Sequence, residues 1–167
     1  NELSFYDNQT DNYQQDHYQL LYSKSFSDKP SANAALHYTK GSGYYEEYKD
    51  DQSFSKYGLT PIVIGTTTIK RTDLIRNSWL DNKFYGATYS LRYQPNAKSD
   101  FTLGGAYNEY DGDHYGEVIW AKYASQSKIR QQYYFDNAFK TDFNIYGKGT
   151  YQLDKFSLFG DLQYRNI

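Results

Sequence analysis

Cysteine and methionine are absent from this 167-residue chain, and proline occurs only three times. Without cysteine the chain has no disulfide framework and no thiolate metal site. No apolar run approaches the roughly 20 residues that a membrane-spanning helix needs. The formal net charge of -2 argues against non-specific nucleic-acid binding, which requires a basic stripe. These absences exclude a helical membrane protein and a disulfide-rich domain, and we expect no nucleic-acid partner.

Aromatic residues are abundant instead: they make up 20% of the chain and include 21 tyrosines, whereas only 38% of all residues are hydrophobic. Tyrosine and phenylalanine suit half-buried strands, and an aromatic ring with a polar tip also suits a membrane interface. The composition is therefore that of an amphipathic β-rich chain.

Apolar residues recur with a period of two in three hairpin-like stretches, at about 13–39, 79–110 and 142–166. A period of two is the signature of strands. Tight turns are expected within these stretches at Ser27–Pro30, Gln94–Ser99 and Asp154–Lys155. Pairing Leu20 with Leu36 keeps the apolar residues of the first hairpin on one face. The sequence predicts an all-β fold, an antiparallel meander of about six long strands in three hairpins.

One face of these strands carries aromatic and aliphatic side chains, while the intervening residues are polar or small. The rings of that face form two bands, one near the tight turns and one at the other end of the strands. Leucine, alanine, isoleucine and glycine lie between the bands, as in an outer-membrane β-barrel. The residues predicted to face the membrane are Tyr18, Leu20, Tyr22, Leu36, Tyr38, Tyr85, Tyr89, Leu91, Tyr93, Phe101, Leu103, Tyr107, Phe143, Ile145, Tyr151, Leu158, Leu162 and Tyr164.

Two segments, about 40–78 and 111–141, join the hairpins and are predicted to be long outer loops. Within the first, a small hairpin turning near Gly65 is expected, and Asp73–Arg76 is expected to open a short helix with Thr72 as N-cap. Within the second, Glu117–Ala121 and Ile129–Tyr134 are expected to prolong the barrel strands. Acidic and aromatic residues in both segments offer stacking and hydrogen bonding to a ligand, and solvated loop surface is the alternative. The ligand-binding candidates are Tyr44, Tyr45, Glu46, Glu47, Tyr48, Trp120, Tyr133 and Tyr134.

Catalytic and metal-binding signals are weak. His17 and His37 fall on the inward face, diagonal to each other, but a metal site would need a third ligand such as Asp16. Polar lumen residues bonded to neighbours or water are the favoured interpretation of both histidines. The sequence has no Gly-x-Ser-x-Gly elbow, phosphate-binding loop or metalloprotease helix. We expect no enzymatic activity, no catalytic residue, no metal and no cofactor.

The chain resembles the barrel region of a TonB-dependent outer-membrane receptor, without its plug domain. The stretches that carry the resemblance are Asn12–Leu20, Thr72–Arg76, Tyr110–Gly116 and Thr141–Gly147. The resemblance covers nearly all of residues 1–167 but includes no catalytic signature. It implies about six strands of a 22-stranded transmembrane barrel in the bacterial outer membrane. It further implies uptake of a scarce nutrient (an iron chelate such as a siderophore, a vitamin or a glycan), powered by an inner-membrane energy-coupling complex that acts through the missing plug.

A soluble, secreted β-sheet module that binds carbohydrate or acts as an adhesin is the alternative. Such a module would bury its outward leucines and rings in a core, whereas a barrel segment exposes them to lipid. We expect the sequence to be a piece of a longer protein. Six strands would leave two unpaired edges, so copies of the isolated chain are expected to associate through them.

Overall fold

The computed structural model describes residues 6–7, 9–123, 128 and 130–167, and 82% of the chain is strand. The strands are β1 (Asp11–Ser25), β2 (Pro30–Ser53), β3 (Ile62–Ile64), β4 (Thr67–Ile69), β5 (Arg71–Asn96), β6 (Ser99–Ala121), β7 (Gln131–Leu153) and β8 (Phe156–Asn166). A single turn of 3-10 helix, Phe54–Tyr57, follows β2. The described residues include no helix whose length and hydropathy would let it cross a membrane.

Six strands form one antiparallel sheet in the order β1-β2-β5-β6-β7-β8, and the short strands β3 and β4 form a separate hairpin. Each long strand therefore pairs with its neighbour along the chain. The all-β class and the antiparallel six-stranded meander are confirmed. Within the described residues the sheet is not closed, and β1 and β8 are its edges. That the sheet is part of a 22-stranded barrel stays a prediction.

The third hairpin has the predicted turn. β7 and β8 are joined at Asp154 and Lys155, and Asp154 takes a positive φ of 41°. Tyr151 lies opposite Leu158, and Gly147 lies opposite Leu162. Because side chains alternate across a strand, this register gathers the aromatic and aliphatic residues of both strands on one face.

The first hairpin also shows the predicted pairing. The rings of Tyr18 and Tyr38 lie 6.3 Å apart, centroid to centroid, on neighbouring strands. Two residues further along each strand, this register brings Leu20 opposite Leu36. Its turn follows Ser25, and β2 begins at Pro30 as turn chemistry predicts.

Two sequence predictions need correction. Residues 73–76 are not helical, because they lie in β5, where the Asp73 carbonyl accepts a hydrogen bond of 2.9 Å from the Lys122 amide. The segments 40–78 and 111–141, expected to be long loops, are largely strand: β2 continues to Ser53 and β5 begins at Arg71. In the second segment β6 continues to Ala121, so the strand expected at Glu117–Ala121 is confirmed. Residues 124–127 and 129 of the second segment lie outside the described part of the chain. Backbone pairing between strands extends the sheet into sequence that lacks clean alternation of apolar and polar residues.

The chain divides into two compact units. Unit 1 comprises residues 1–15, 41–82 and 112–138, and unit 2 comprises residues 16–40, 83–111 and 139–167. The large buried apolar side chains of the described residues all belong to unit 1: Phe54, Tyr57, Leu59, Leu74 and Val118. The hairpin of β3 and β4 turns at Gly65, with φ 60°, as predicted.

Unit 2 has no comparable apolar core among its described residues, and its aromatic and aliphatic side chains lie on the sheet surface. Its stability depends on strand pairing, which requires close approach at certain glycines. A Cβ added at Gly86 would lie 2.2 Å from the carbonyl oxygen of Tyr107, whereas Gly147 has nothing within 4 Å of such an atom.

We predict that Gly86→Ala lowers the free energy of unfolding by about 1–3 kcal/mol, because the methyl group overpacks the contact with β6. Gly147→Ala, the matched control, should leave stability unchanged or slightly raised, since glycine weakens a strand interior. Urea unfolding in detergent micelles, followed by circular dichroism, measures both. Equal stability of the two variants would contradict the close approach at Gly86.

Candidate functional site

A solvent-open groove of about 480 Å³ lies in unit 1 and is rich in tyrosine. We call it the tyrosine groove. Strands β1, β2, β5, β6 and β7 all contribute to it, so strand pairing alone brings its residues together. It is lined by Asp11, Tyr13, Gly43, Tyr44, Tyr45, Ser78, Trp79, Leu80, His114 and Tyr134.

Strand alternation explains how the groove is built. Gly43 and Tyr45 are two residues apart on β2, and Ser78 and Leu80 are two apart on β5, so each pair points to one face of its strand. Gly43 allows the backbones to approach, because a Cβ there would lie 2.6 Å from the Cα of Tyr13. The rings of the groove therefore project from closely paired strands.

Some polar groups in the groove are hydrogen bonded within the protein, and others are not. The Asn82 amide nitrogen donates a hydrogen bond of 3.3 Å to the Tyr13 hydroxyl. The side chains of Asp11, Tyr45 and His114 have no hydrogen-bond partner among the residues that the structure describes. These groups can donate to and accept from a bound molecule.

Trp79 anchors one side of the groove. Its ring centroid lies 4.6 Å from that of Tyr44 and 5.8 Å from that of Tyr115. The ring planes of Trp79 and Tyr115 are only 9° apart, so these two rings are stacked. The indole nitrogen donates a hydrogen bond of 3.2 Å to Glu117. Burial, with a contribution from the nearby Glu117 carboxylate, raises the pKa of Tyr115. The stack fixes the strands that carry the groove.

A second cluster in unit 1 centres on an ion pair between Arg76 and Glu47. The Arg76 Nε donates a hydrogen bond of 2.7 Å to Glu47, and its Nη2 contacts the same oxygen. The Nη1 of Arg76 lies 3.3 Å from the Tyr133 hydroxyl. The rings of Tyr133 and the fully buried Tyr57 are 4.6 Å apart. The pair thus joins the apolar core to the strands.

Opposing effects set the pKa of each ion-pair partner. Burial disfavours ionisation of Glu47, but hydrogen bonds from Lys49 and Arg76 outweigh it and lower the pKa of the carboxyl group. Burial likewise disfavours the charged form of Arg76, but Glu47 outweighs it and raises the pKa of the guanidinium. Both groups are therefore charged at neutral pH, and Arg76 is engaged by Glu47.

The structure divides the eight ligand-binding candidates. Tyr44, Tyr45 and Tyr134 line the tyrosine groove, whereas Glu47 and Tyr133 belong to the Arg76 cluster. Glu46 accepts a hydrogen bond from the Tyr6 hydroxyl. Burial, then this bond, raises the pKa of Tyr6.

The other two candidates, Tyr48 and Trp120, are exposed and do not line the groove. Seven of the ten lining residues were not among the candidates predicted from the sequence: Asp11, Tyr13, Gly43, Ser78, Trp79, Leu80 and His114. Tyr13 could have been found from its place two residues before Gln15 on the inward side of β1, at the start of the first predicted hairpin.

The two inward histidines of unit 2 are engaged by neighbouring side chains. His17 Nδ1 and Thr39 Oγ1 are hydrogen bonded at 3.0 Å. His37 Nε2 and Asn108 Oδ1 are hydrogen bonded at 2.9 Å. Within the described residues, no group of three metal-ligating side chains is assembled.

The residues predicted to face a membrane all lie in unit 2, where they form what we call the outer face. All eighteen are exposed except Tyr85 and Ile145, which are half-buried. The six leucines of this face range from 47% exposed at Leu103 to 80% at Leu162. The inner face of the same strands carries mostly polar groups, although Leu21 and Phe159 also lie on it and are exposed.

Fold and surfaces define the class of this chain as an all-β protein with an open antiparallel sheet, one apolar outer face and a tyrosine-lined groove. Comparison with protein-family models, curated proteins and solved structures gave no match.

We predict that Glu47→Gln lowers the free energy of unfolding by about 1–3 kcal/mol, because it leaves a largely buried guanidinium without its counter-ion. The matched control is Asp51→Asn, since Arg71 and Asp51 form a pair that is 57% and 70% exposed. An exposed pair contributes less than about 1 kcal/mol. Urea unfolding followed by tryptophan fluorescence compares the two. Equal losses would contradict a structural role for the Arg76 cluster.

The depressed pKa of Glu47 also predicts a pH dependence. The contribution of this group to stability is complete above its ordinary pKa of 4.5 and is lost as the pH falls through the lower folded-state value. The difference in unfolding free energy between the native chain and Glu47→Gln should therefore shrink below pH 4.5. Unfolding curves from pH 7 to pH 3 test this, and a constant difference would contradict it.

Proposed function

We propose that this chain is part of an outer-membrane receptor of the TonB-dependent type, which binds a scarce nutrient and imports it. The observation that supports this proposal most strongly is the exposed outer face of unit 2. Leucine side chains left in water forgo the roughly 1.5–3 kcal/mol that full burial of each would provide. A contiguous apolar face of this kind is a site for lipid or for another protein.

Aromatic residues on the outer face support lipid as its environment. The rings of Tyr18, Tyr38 and Tyr85 follow one another across three neighbouring strands, with successive centroids 6.3 Å apart. A row of tyrosines across strands is the girdle that barrels place at the membrane surface. The leucines lie between this row and a second one near the tight turns.

Polar pairs on the opposite face support a wet interior. Arg92 donates hydrogen bonds to both carboxylate oxygens of Asp100, and Lys148 lies opposite Asp161 in the β7–β8 register. A wall with lipid on one side and water on the other needs this division of apolar and polar side chains. A soluble sandwich would reverse it by packing the leucines inside.

In the proposed receptor, the tyrosine groove captures the nutrient. Import would then require a plug domain and an inner-membrane energy-coupling complex, which act on the whole receptor. The remaining strands and loops would complete the binding site. The open edges β1 and β8 would pair with further strands of the barrel, and in the isolated chain with a second copy.

A soluble, secreted carbohydrate-binding or adhesin-like module is the second candidate. The tyrosine groove is compatible with such a module, because a groove of this kind can bind a ligand without a membrane. The exposed leucines oppose it, because a secreted module would expose them to water.

Labelling of single cysteines tests the proposal, and the chain has no native cysteine to interfere. Leu91 and Ser90 are adjacent on β5 and belong to opposite faces. After refolding into lipid vesicles, Leu91→Cys should be protected from a water-soluble maleimide, whereas the matched Ser90→Cys should react. Both should react when the chain is unfolded in urea.

Equal reactivity of the two cysteines in vesicles would overturn the membrane-wall assignment. So would failure of the chain to float with the vesicles in a density gradient. Either result would favour the soluble module instead.

A further inference from the structure

We infer that the tyrosine groove binds a neutral oligosaccharide. This inference deepens the proposed receptor function by naming its substrate class, and it rests on that function for the biological role of binding. The site comprises the ten residues that line the groove, all of which belong to unit 1.

Charge is the first argument. Among the lining residues that the structure describes, Asp11 alone carries a formal charge at neutral pH, and none is a lysine or an arginine. The guanidinium of Arg76 is held by Glu47 and by the Tyr133 hydroxyl. An anionic ligand such as a ferric catecholate chelate needs charge-assisted hydrogen bonds from cations. The ten described lining residues provide no cation, so their chemistry disfavours anionic nutrients.

Aromatic rings are the second argument. Tyr13 and Tyr45 are exposed at roughly half their surface, and Tyr134 adds a third exposed ring. Rings of this kind offer an apolar surface with a polar tip. A pyranose has the matching character, with C–H groups on its faces and hydroxyl groups around its edge.

The unpaired polar groups are the third argument. Asp11 accepts hydrogen bonds, and His114 and the Tyr45 hydroxyl can each donate or accept. Sugar hydroxyls require such mixed partners, because each hydroxyl both donates and accepts. A bare hydrocarbon ligand would leave these groups without partners, at a cost in affinity.

Size and shape are consistent with an oligosaccharide. A volume of about 480 Å³ falls within the range of small-molecule sites, roughly 300–1,000 Å³. The groove is open to solvent, so a chain longer than the groove can extend beyond both ends. An organic cation such as choline would instead require an aromatic cage whose rings enclose it and exclude water, whereas this groove is open.

Isothermal titration calorimetry of the chain in detergent micelles tests the inference, with maltoheptaose, cellopentaose and chitotetraose as probes. We expect saturable binding of at least one of these sugars. Tyr45→Ala should weaken it at least about tenfold, through loss of a stacking ring. The matched control is Tyr48→Ala, which removes an exposed ring of the same strand outside the groove and should leave affinity unchanged.

Three results would overturn the inference: no binding of any of the sugars, equal effects of Tyr45→Ala and Tyr48→Ala, or binding of a ferric tris-catecholate or choline in place of the sugars. Circular dichroism of each variant shows whether it is folded. The cysteine labelling above is performed on the same preparation. If Leu91→Cys is protected and Ser90→Cys reacts but no sugar binds, only the substrate class is rejected. If a sugar binds but the two cysteines react equally, the membrane-receptor proposal is rejected.

Discussion

The apolar outer face of unit 2 is the constraint on which the account of this protein depends. Its leucines stay exposed while the inner face of the same strands carries polar pairs, and strand alternation fixes that division. The register of the third hairpin, which sets Tyr151 against Leu158, permits no slip by one residue without reversing the faces. Such a face favours an apolar environment, which we propose is lipid bounded by the tyrosine rows.

The two sets of residues predicted from the sequence fall in different units. The eighteen predicted lipid-facing residues all fall in unit 2, and the eight predicted ligand-binding residues all fall in unit 1. Among the described residues, only unit 1 has a buried apolar core, which is built around Phe54 and Tyr57 and joined to the strands by the ion pair of Arg76 with Glu47. A small, well-anchored core suits a region that must hold a groove in a fixed shape.

Local chemistry explains what could be predicted from the sequence. Period-two alternation located the strands, and Asp154 and Gly65 marked turns that need a positive φ. Long-range pairing explains what could not. The acidic stretch of β2 beyond Thr39 lacks alternation, so its strand character depends on neighbours far along the chain. The tyrosine groove was only partly foreseen for the same reason: Tyr13 and His114 are 101 positions apart by their residue numbers, and only sheet formation brings them to one face.

The most direct test of the central claim is the paramagnetic broadening of leucine methyl signals in lipid nanodiscs that contain acyl-chain spin labels. We predict strong broadening for the leucines of the outer face, Leu20, Leu36, Leu91, Leu103, Leu158 and Leu162. We expect little broadening for Leu59 and Leu74, which are buried in the core of unit 1. Broadening of the outer-face methyls by a water-soluble gadolinium chelate, with none from the labelled lipid, would contradict this prediction.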